Sequence, residues 1–502
     1  MSEAGQPSGQ PNLGARVLRG GQVLAVGTLA ERLARLGRNM LLARVIAPDQ
    51  FGMMAITLAV IALFEAMTEV GVAQAVIQNK RGDAPEFLNV AWWFGAARGL
   101  LVAAVAIPLA GPIARFYDQP DLSELLMVAP ITVVFVGLTS PRVYALQRQF
   151  RFGATLWTIQ GAGLLGTAVT IGLGFWLRNV WALLLGAVFE SFARFVLSFI
   201  VCPIRPRFSL DRQSRIDLLR FMRGMAGLSL LALLMMQADT FVLGKVVTAE
   251  ALGLYTMAIA LAAFPLGIFS KVVQPLVVPI LARYQDDASR LCDRVLGLSR
   301  LVWLFGLPMV TVMACFSEQL LVAVYGRPAF AQAAPAFAVY SLFTVTYMAS
   351  MVSFSVYLAT ARPELQRRFT LVRGLVVVVT LYPMAVWLGG TGAALSLLGA
   401  MVVAMFVQIL NLRKVIGLRP ASYLGTLRAG LVASALILAP SLLVTWLMPT
   451  RAWLDVAIGA ALGGATWTIL LLRERRSLAV LREGGRSAPA PPDVDPLGTN
   501  GM

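Results

Sequence analysis

The sequence predicts an all-α polytopic membrane protein. About fourteen transmembrane helices form two six-helix lobes related by a pseudo-two-fold axis, with two extra helices toward the C-terminus. Three observations predict this. Of 502 residues, 58% are hydrophobic and 13% charged, and the mean hydropathy is +0.76, far more apolar than a soluble domain needs. Apolar runs near the roughly 20 residues that cross a bilayer recur along the chain. A stretch near the start also returns 201 residues later.

Taken in order, residues 1–19 are polar and carry Arg16 and Arg19 ahead of the first apolar run. They lack a small-residue cleavage site, so the first helix reads as an uncleaved anchor. The first lobe, 20–215, takes the runs 20–43, 51–77, 88–113, 122–146, 155–177 and 180–202. The second, 216–412, takes 220–243, 251–279, 297–317, 332–359, 369–388 and 391–411. Residues 413–472 hold runs at 426–448 and 452–472. The last segment, 473–502, begins RERRSLAVLREGGRS and turns Pro-rich, which predicts a basic membrane-surface stretch followed by disorder.

The repeat rests on polar matches as well as apolar ones. The stretch from Glu31 to Gly52 reads ERLARLGRNMLLARVIAPDQFG, and Met235 to Gly253 reads MMQADTFVLGKVVTAEALG. The offset of 201 carries Arg44 onto Lys245, Asp49 onto Glu250, Phe51 onto Leu252 and Gly52 onto Gly253. Six helices is an even number, so both lobes run the same way through the membrane, as in transporters built from parallel repeats.

Charge sets the orientation. With both termini taken as cytoplasmic, about 31 basic residues fall in inside segments, about 6 outside and about 5 within helices. The net charge of +17 is thus a topology signal, and nucleic acid is not an expected partner. The chain has no histidine, and Cys202, Cys292 and Cys315 form no close pair. His-based triads, His metal sites and CxxC redox motifs are excluded. No catalytic residue, metal ligand or nucleotide-binding Gly-rich loop is assigned, and the chain reads as a non-enzyme without a cofactor.

Several motifs carry a family likeness. LLARVIAPDQFGMMAI follows the first helix, GVAQAVIQNK closes the second, LNVAWWFGAARGLL opens the third, and QADTFVLGKVVTAEALGLYTMA repeats the pattern. These resemble the oligosaccharide flippases of the polysaccharide transport family, in particular the Wzx-like exopolysaccharide exporters of the colanic-acid type. That family shares the MOP superfamily and its MATE-like fold with lipid II flippases. The resemblance spans roughly residues 18–470. It implies a multi-pass protein of the bacterial inner membrane that moves an undecaprenyl-pyrophosphate-linked oligosaccharide between leaflets by alternating access. It also implies a cationic central cavity, a monomer, and work beside polysaccharide polymerase or export machinery.

The charged residues inside helices are the candidate site. Arg32, Arg35, Arg38, Arg98 and Arg194 are candidate cavity cations, because intramembrane charge is costly and faces a cavity or a partner. A guanidinium also stays ionised and grips phosphate with paired hydrogen bonds. The competing reading is that Arg32, Arg35 and Arg38 snorkel to the interface. Glu31 can pair with Arg35 four residues on, and Glu190 with Arg194. Asp239 occupies the repeat position of Arg38 beside Gln237. It acts either as a gate facing Arg38 or as a local hydrogen-bond acceptor. Glu65 and Glu69, four apart, either hold a coupling H+ or Na+ or pair with arginines of the first helix; the membrane potential is a third energy source. Pro265, Gly267, Pro275 and Pro279 predict a bend in the eighth helix. Gly459 and Gly463 offer a close-packing face.

Two other functions compete. A MATE-like ion-coupled small-molecule exporter shares the fold but calls for acidic and aromatic cavity walls. A membrane enzyme of polysaccharide assembly, a polymerase or glycosyltransferase, calls for a large outer loop, and the outside loops here are short and nearly uncharged.

Overall fold

The structure is a computed structural model that describes residues 13–68, 71–149, 152–207, 211–225, 228–362 and 364–447, with isolated positions at 461 and 464–465. Among these residues all regular structure is helical. The first repeat comprises α1 (Leu13–Val45), α2 (Pro48–Thr68), α3 (Val72–Gln78) and α4 (Pro85–Phe116), then α5 (Leu122–Gly137), α6 (Arg142–Arg148), α7 (Gly153–Leu177) and α8 (Val180–Val201). A short α9 (Arg212–Met225) leads into α10 (Leu228–Val246) and α11 (Ala249–Ala262), followed by α12 (Phe264–Lys271). The chain continues through α13 (Gln274–Ala282), α14 (Ala288–Cys315), α15 (Ser317–Tyr325), α16 (Ala334–Ala359) and α17 (Glu364–Ile416), and then α18 (Pro420–Gly425) and α19 (Leu427–Leu447).

Eight helical segments are long and apolar enough to cross a membrane, or ten when each of two bent pairs counts as one span. A count of fourteen is not reached among the described residues. Charge explains part of this: α1 carries five charged residues between Glu31 and Arg44, which lowers its mean hydropathy. The last run, 452–472, lies outside the described residues apart from isolated positions, as do Gly459 and Gly463.

Bends follow the sequence signals. α17 consists of two helices that meet at a kink at Gly389, the residue that leaves helical geometry, at φ 55° and ψ −134°. It therefore serves as the two spans predicted at 369–388 and 391–411. A side chain is strained at such a positive φ, and glycine is not. The predicted bend in the eighth helix lies between α11 and α12, which are inclined by 48°; Pro265 stands at the start of the new helix and cannot donate to the old one.

The chain forms two compact units. The larger holds residues 1–272, 317–344 and 371–402. Within it, α2 and α11 cross at the two glycines that the repeat matches. A β-carbon on Gly52 would collide with the carbonyl oxygen of Ala249, and one on Gly253 with the carbonyl oxygen of Pro48. Ala249 lies 201 positions after Pro48, as Gly253 does after Gly52, so the two close approaches are copies of each other about a local two-fold. Basic residues at the ends of α1 and α10 repeat the exchange. Lys245 bonds to Asp118 beyond α4 and stands 5.4 Å over the Phe116 ring. The Arg44 carbonyl accepts from Arg327 at 3.1 Å, and its side chain packs on Gly326. Each repeat thus reaches the loop after the third span of the other.

The smaller unit holds residues 273–316, 345–370 and 403–502. Its described part packs α14 on α19, with Gly430 against the carbonyl of Trp303. Buried polar side chains lace it: Tyr357 donates to the Gln408 carbonyl at 3.2 Å, and Gln408 to the Ser350 carbonyl at 3.2 Å.

Lipid exposure marks the slab. Trp157 and Trp176 on α7 are 63% and 78% exposed. At 1.5 Å rise per residue they stand about 28 Å apart, close to the roughly 30 Å of a hydrocarbon core. Tryptophan favours the two membrane–water boundaries.

Candidate functional site

The charged segment of α1 packs against α7 and α8, and glycines make that approach possible. A β-carbon on Gly163 would stand 2.8 Å from Glu31 Oε1 and 3.2 Å from Arg35 Nη2, and one on Gly166 would press on Glu190. These glycines were not singled out from the sequence. Their signal is the G-x-G-x-x-G spacing of residues 161–166, which is common in membrane helices for packing alone.

In the space they leave, Arg35 joins two carboxylates. Its Nε donates to Glu31 Oε1 at 2.9 Å and its Nη2 to Glu190 Oε1 at 2.6 Å. The i,i+4 pair with Glu31 is the predicted one. The pairing of Glu190 is a correction: it turns across to α1 rather than to Arg194 on its own helix. The Nε of Arg194 is buried without a hydrogen-bond partner among the described residues. Two acids around one guanidinium meet its charge more than fully, so Arg35 has little capacity left for a further anion.

Arg38 differs. Its Nε and Nη2 both donate to the side-chain oxygen of Asn39, at 3.2 and 3.1 Å, and it makes no ion pair among the described residues. An amide oxygen orients the guanidinium without neutralising it. Arg35 and Glu190 are the charges that act on it through space, so Arg38 stands beside the Arg35 cluster without a direct carboxylate partner among the described residues. Arg32 lies six residues earlier, nearly two turns, its guanidinium against the bare backbone of Gly267 in α12, again with no ion pair among the described residues.

Arg98 lies at the end of α2. Its Nη2 donates to the Glu65 carbonyl at 3.0 Å and its Nε to Thr68 Oγ1 at 3.2 Å. A cation placed on the last carbonyls of a helix offsets the negative end of the helix dipole, so the guanidinium staples α4 to α2. Of the predicted acidic pair on α2, Glu65 is described, whereas Glu69 lies outside the described residues.

Asp239 has its own setting. It is 6% exposed, accepts from the Tyr255 hydroxyl at 2.7 Å and from the Thr240 amide at 2.9 Å, and feels the charge of Arg373. Arg373 is 8% exposed, donates to the Met235 carbonyl at 3.4 Å and lies 5.6 Å from the Phe343 ring centroid. Gln237 accepts from Thr240 at 3.4 Å. Of the two readings of Asp239, its bonds are those of the local acceptor, and no ion pair between Arg38 and Asp239 is formed among the described residues. Tyr255 and Arg373 were missed in the sequence; nothing local links residues 16 and 134 positions away from Asp239.

The fold and this charge define a multi-pass helical membrane protein with guanidinium groups inside its first helix. Its likeness to known proteins is consistent with that. The chain belongs to the family described as "Polysaccharide biosynthesis protein", whose profile matches residues 41–335. It is 23% identical over 318 residues to the lipopolysaccharide biosynthesis protein WzxC of Escherichia coli (strain K12), a match covering 63% of this chain and 64% of that protein. The chain thus spans slightly less than two thirds of that relative. It is 24% identical to the amylovoran biosynthesis protein AmsL of Erwinia amylovora, covering 66% of this chain and 86% of that protein. Its fold is that of the lipid II flippase MurJ in an inward closed conformation, with a TM-score of 0.74 at 12% identity over 90% of this chain and 99% of that one.

Proposed function

We propose that this chain is a flippase of the bacterial inner membrane. It carries an oligosaccharide repeat unit linked to undecaprenyl pyrophosphate from the cytoplasmic to the periplasmic leaflet, in the assembly of a surface polysaccharide. The observation that carries this reading is Arg38: a guanidinium within α1, held in place by the amide oxygen of Asn39 and making no ion pair of its own among the described residues. A diphosphate supplies a counter-charge, and a guanidinium binds it through parallel charge-assisted hydrogen bonds.

The roles then divide. Arg38 binds the anionic head, with Arg194 and Arg32 as further donors. Glu31 and Glu190 hold Arg35, which fixes the wall behind them. Arg98 positions the end of α2. Transport proceeds by alternating access between the two repeats, with the Gly52–Gly253 crossing as the point about which they rock. With the basic loops in the cytoplasm, the Lys245–Asp118 and Arg327–Arg44 contacts close the periplasmic end. An anionic head moving outward travels with an inside-negative potential, worth about 2.3 kcal/mol per charge per 100 mV. The membrane potential is therefore the proposed driving force.

Complementation of a deletion strain tests this. Arg38→Ala is expected to insert at normal levels, to abolish surface polysaccharide, and to accumulate the lipid-linked repeat unit. Normal polymer from Arg38→Ala and from Arg38→Ala combined with Arg194→Ala would overturn the assignment.

A further inference from the structure

α9 connects the two repeats and has two unlike faces. One is docked: Leu218 is fully buried in a cluster with Ala75, Val76, Phe87 and Leu88, and Phe221 packs against it. The acids of the segment turn the same way. Asp211 caps the helix through the Ser214 amide and hydroxyl, at 2.8 and 2.7 Å, and lies 3.7 Å from Arg81. The Ser214 hydrogen bonds hold its carboxyl below the usual carboxylate range. Asp217 accepts from Gln213 at 2.9 Å and from Asn79 at 3.5 Å.

The other face carries Arg212, Arg215, Ile216, Leu219 and Arg220. These positions fall at helical spacings of three, four, seven and eight, on one side of the helix. The three arginines are exposed, and none makes an ion pair among the described residues. Ile216 is 39% exposed and Leu219 36%. Arg205 and Arg207, just ahead of α9, are exposed as well. The Arg207 carbonyl accepts from the indole of Trp93 at 2.9 Å, and tryptophan is a residue that favours membrane–water boundaries.

A helix with cations and apolar side chains on one solvent-directed face fits the plane of a membrane interface. We propose that this face of α9 is a binding surface for acidic phospholipid headgroups of the surrounding leaflet. Arg212, Arg215 and Arg220 meet the phosphates, while Ile216 and Leu219 enter the acyl boundary. Clustered basic residues beside a spanning helix attract anionic lipid in proportion to their number. Because α9 links the last span of one repeat to the first of the next, lipid held there anchors the linker between the moving halves. This inference does not rest on the substrate reading.

The test uses the full chain in nanodiscs of equal phosphatidylglycerol and phosphatidylcholine, with the retained lipid measured by mass spectrometry. Phosphatidylglycerol is expected to be enriched around the native chain. The enrichment should fall at least about fivefold in Arg212→Gln/Arg215→Gln/Arg220→Gln and little in Arg367→Gln/Arg368→Gln/Arg413→Gln, which removes equal charge elsewhere. High salt should weaken it. Thermal unfolding identifies a misfolded triple variant, in which case the Arg215→Gln single variant carries the test. Equal enrichment in both triple variants, or none around the native chain, would overturn the proposal. So would unchanged lipid with loss of a co-purifying protein, which would assign the face to a protein partner instead.

Discussion

Position 38 and its repeat mate, position 239, sit at the same point of two similar helices and have opposite chemistry. Asp239 is buried and enclosed: a tyrosine hydroxyl, a backbone amide and the field of Arg373 all answer its charge. Arg38 has an amide oxygen and, through space only, the charge of Glu190, whose carboxylate is bonded to Arg35. The difference teaches that duplication preserved the backbone while freeing the side chains. One copy is a closed polar knot that holds its helices together; the other carries a guanidinium with no direct carboxylate partner among the described residues.

The contrast can be broken most sharply at the crossing on which both repeats depend. Gly52→Leu or Gly253→Leu drives a side chain into a backbone carbonyl, which cannot retreat as a side chain can. A loss of about 3 kcal/mol or more is expected, seen as failure to purify as a monodisperse species. Normal thermal stability of both variants would contradict the crossing. Next comes the enclosed copy. Asp239→Ala strands the Tyr255 hydroxyl in a buried site and removes the acid whose charge faces Arg373, at a cost of about 2–3 kcal/mol. Tyr255→Phe should cost about 1 kcal/mol. Arg38→Ala should change the unfolding temperature little while removing transport, so the two repeat mates separate stability from function.

A smaller effect is expected at the half-exposed triad. Glu190→Gln leaves Arg35 its Glu31 partner and should cost about 1 kcal/mol. Glu190→Gln combined with Glu31→Gln should cost clearly more than the sum, because only the double change strands the cation. Smallest is Lys245→Ala. That exposed pair is worth about 0.2–1 kcal/mol, read as a double-mutant cycle with Asp118→Ala that shrinks with added salt.

The repeat, most of the spans and the Glu31–Arg35 pair were legible because each is local or periodic. Charge and glycine within one helix announce themselves at a spacing of four, and an apolar run broken by Gly389-Gly390 announces two spans. The Arg35–Glu190 bond joins residues 155 positions apart, and no pattern along the chain selects Glu190 for Arg35 rather than for Arg194. The assignment of Arg38 shows the same limit from the other side. Arg32, Arg35 and Arg38 of α1 look alike in sequence, and only packing decides which of them the acids reach. The Gly52–Gly253 match was visible as a repeat, whereas the mutual contact of the two glycines is a tertiary fact that identity alone does not carry.

The most direct measurement of the central claim is the affinity of the purified chain for undecaprenyl pyrophosphate, compared between Arg38→Ala and Arg98→Ala under conditions where both are folded. Loss of a charge-assisted pair predicts at least about tenfold weaker binding for Arg38→Ala and near-native binding for Arg98→Ala. Native affinity in Arg38→Ala would contradict the account.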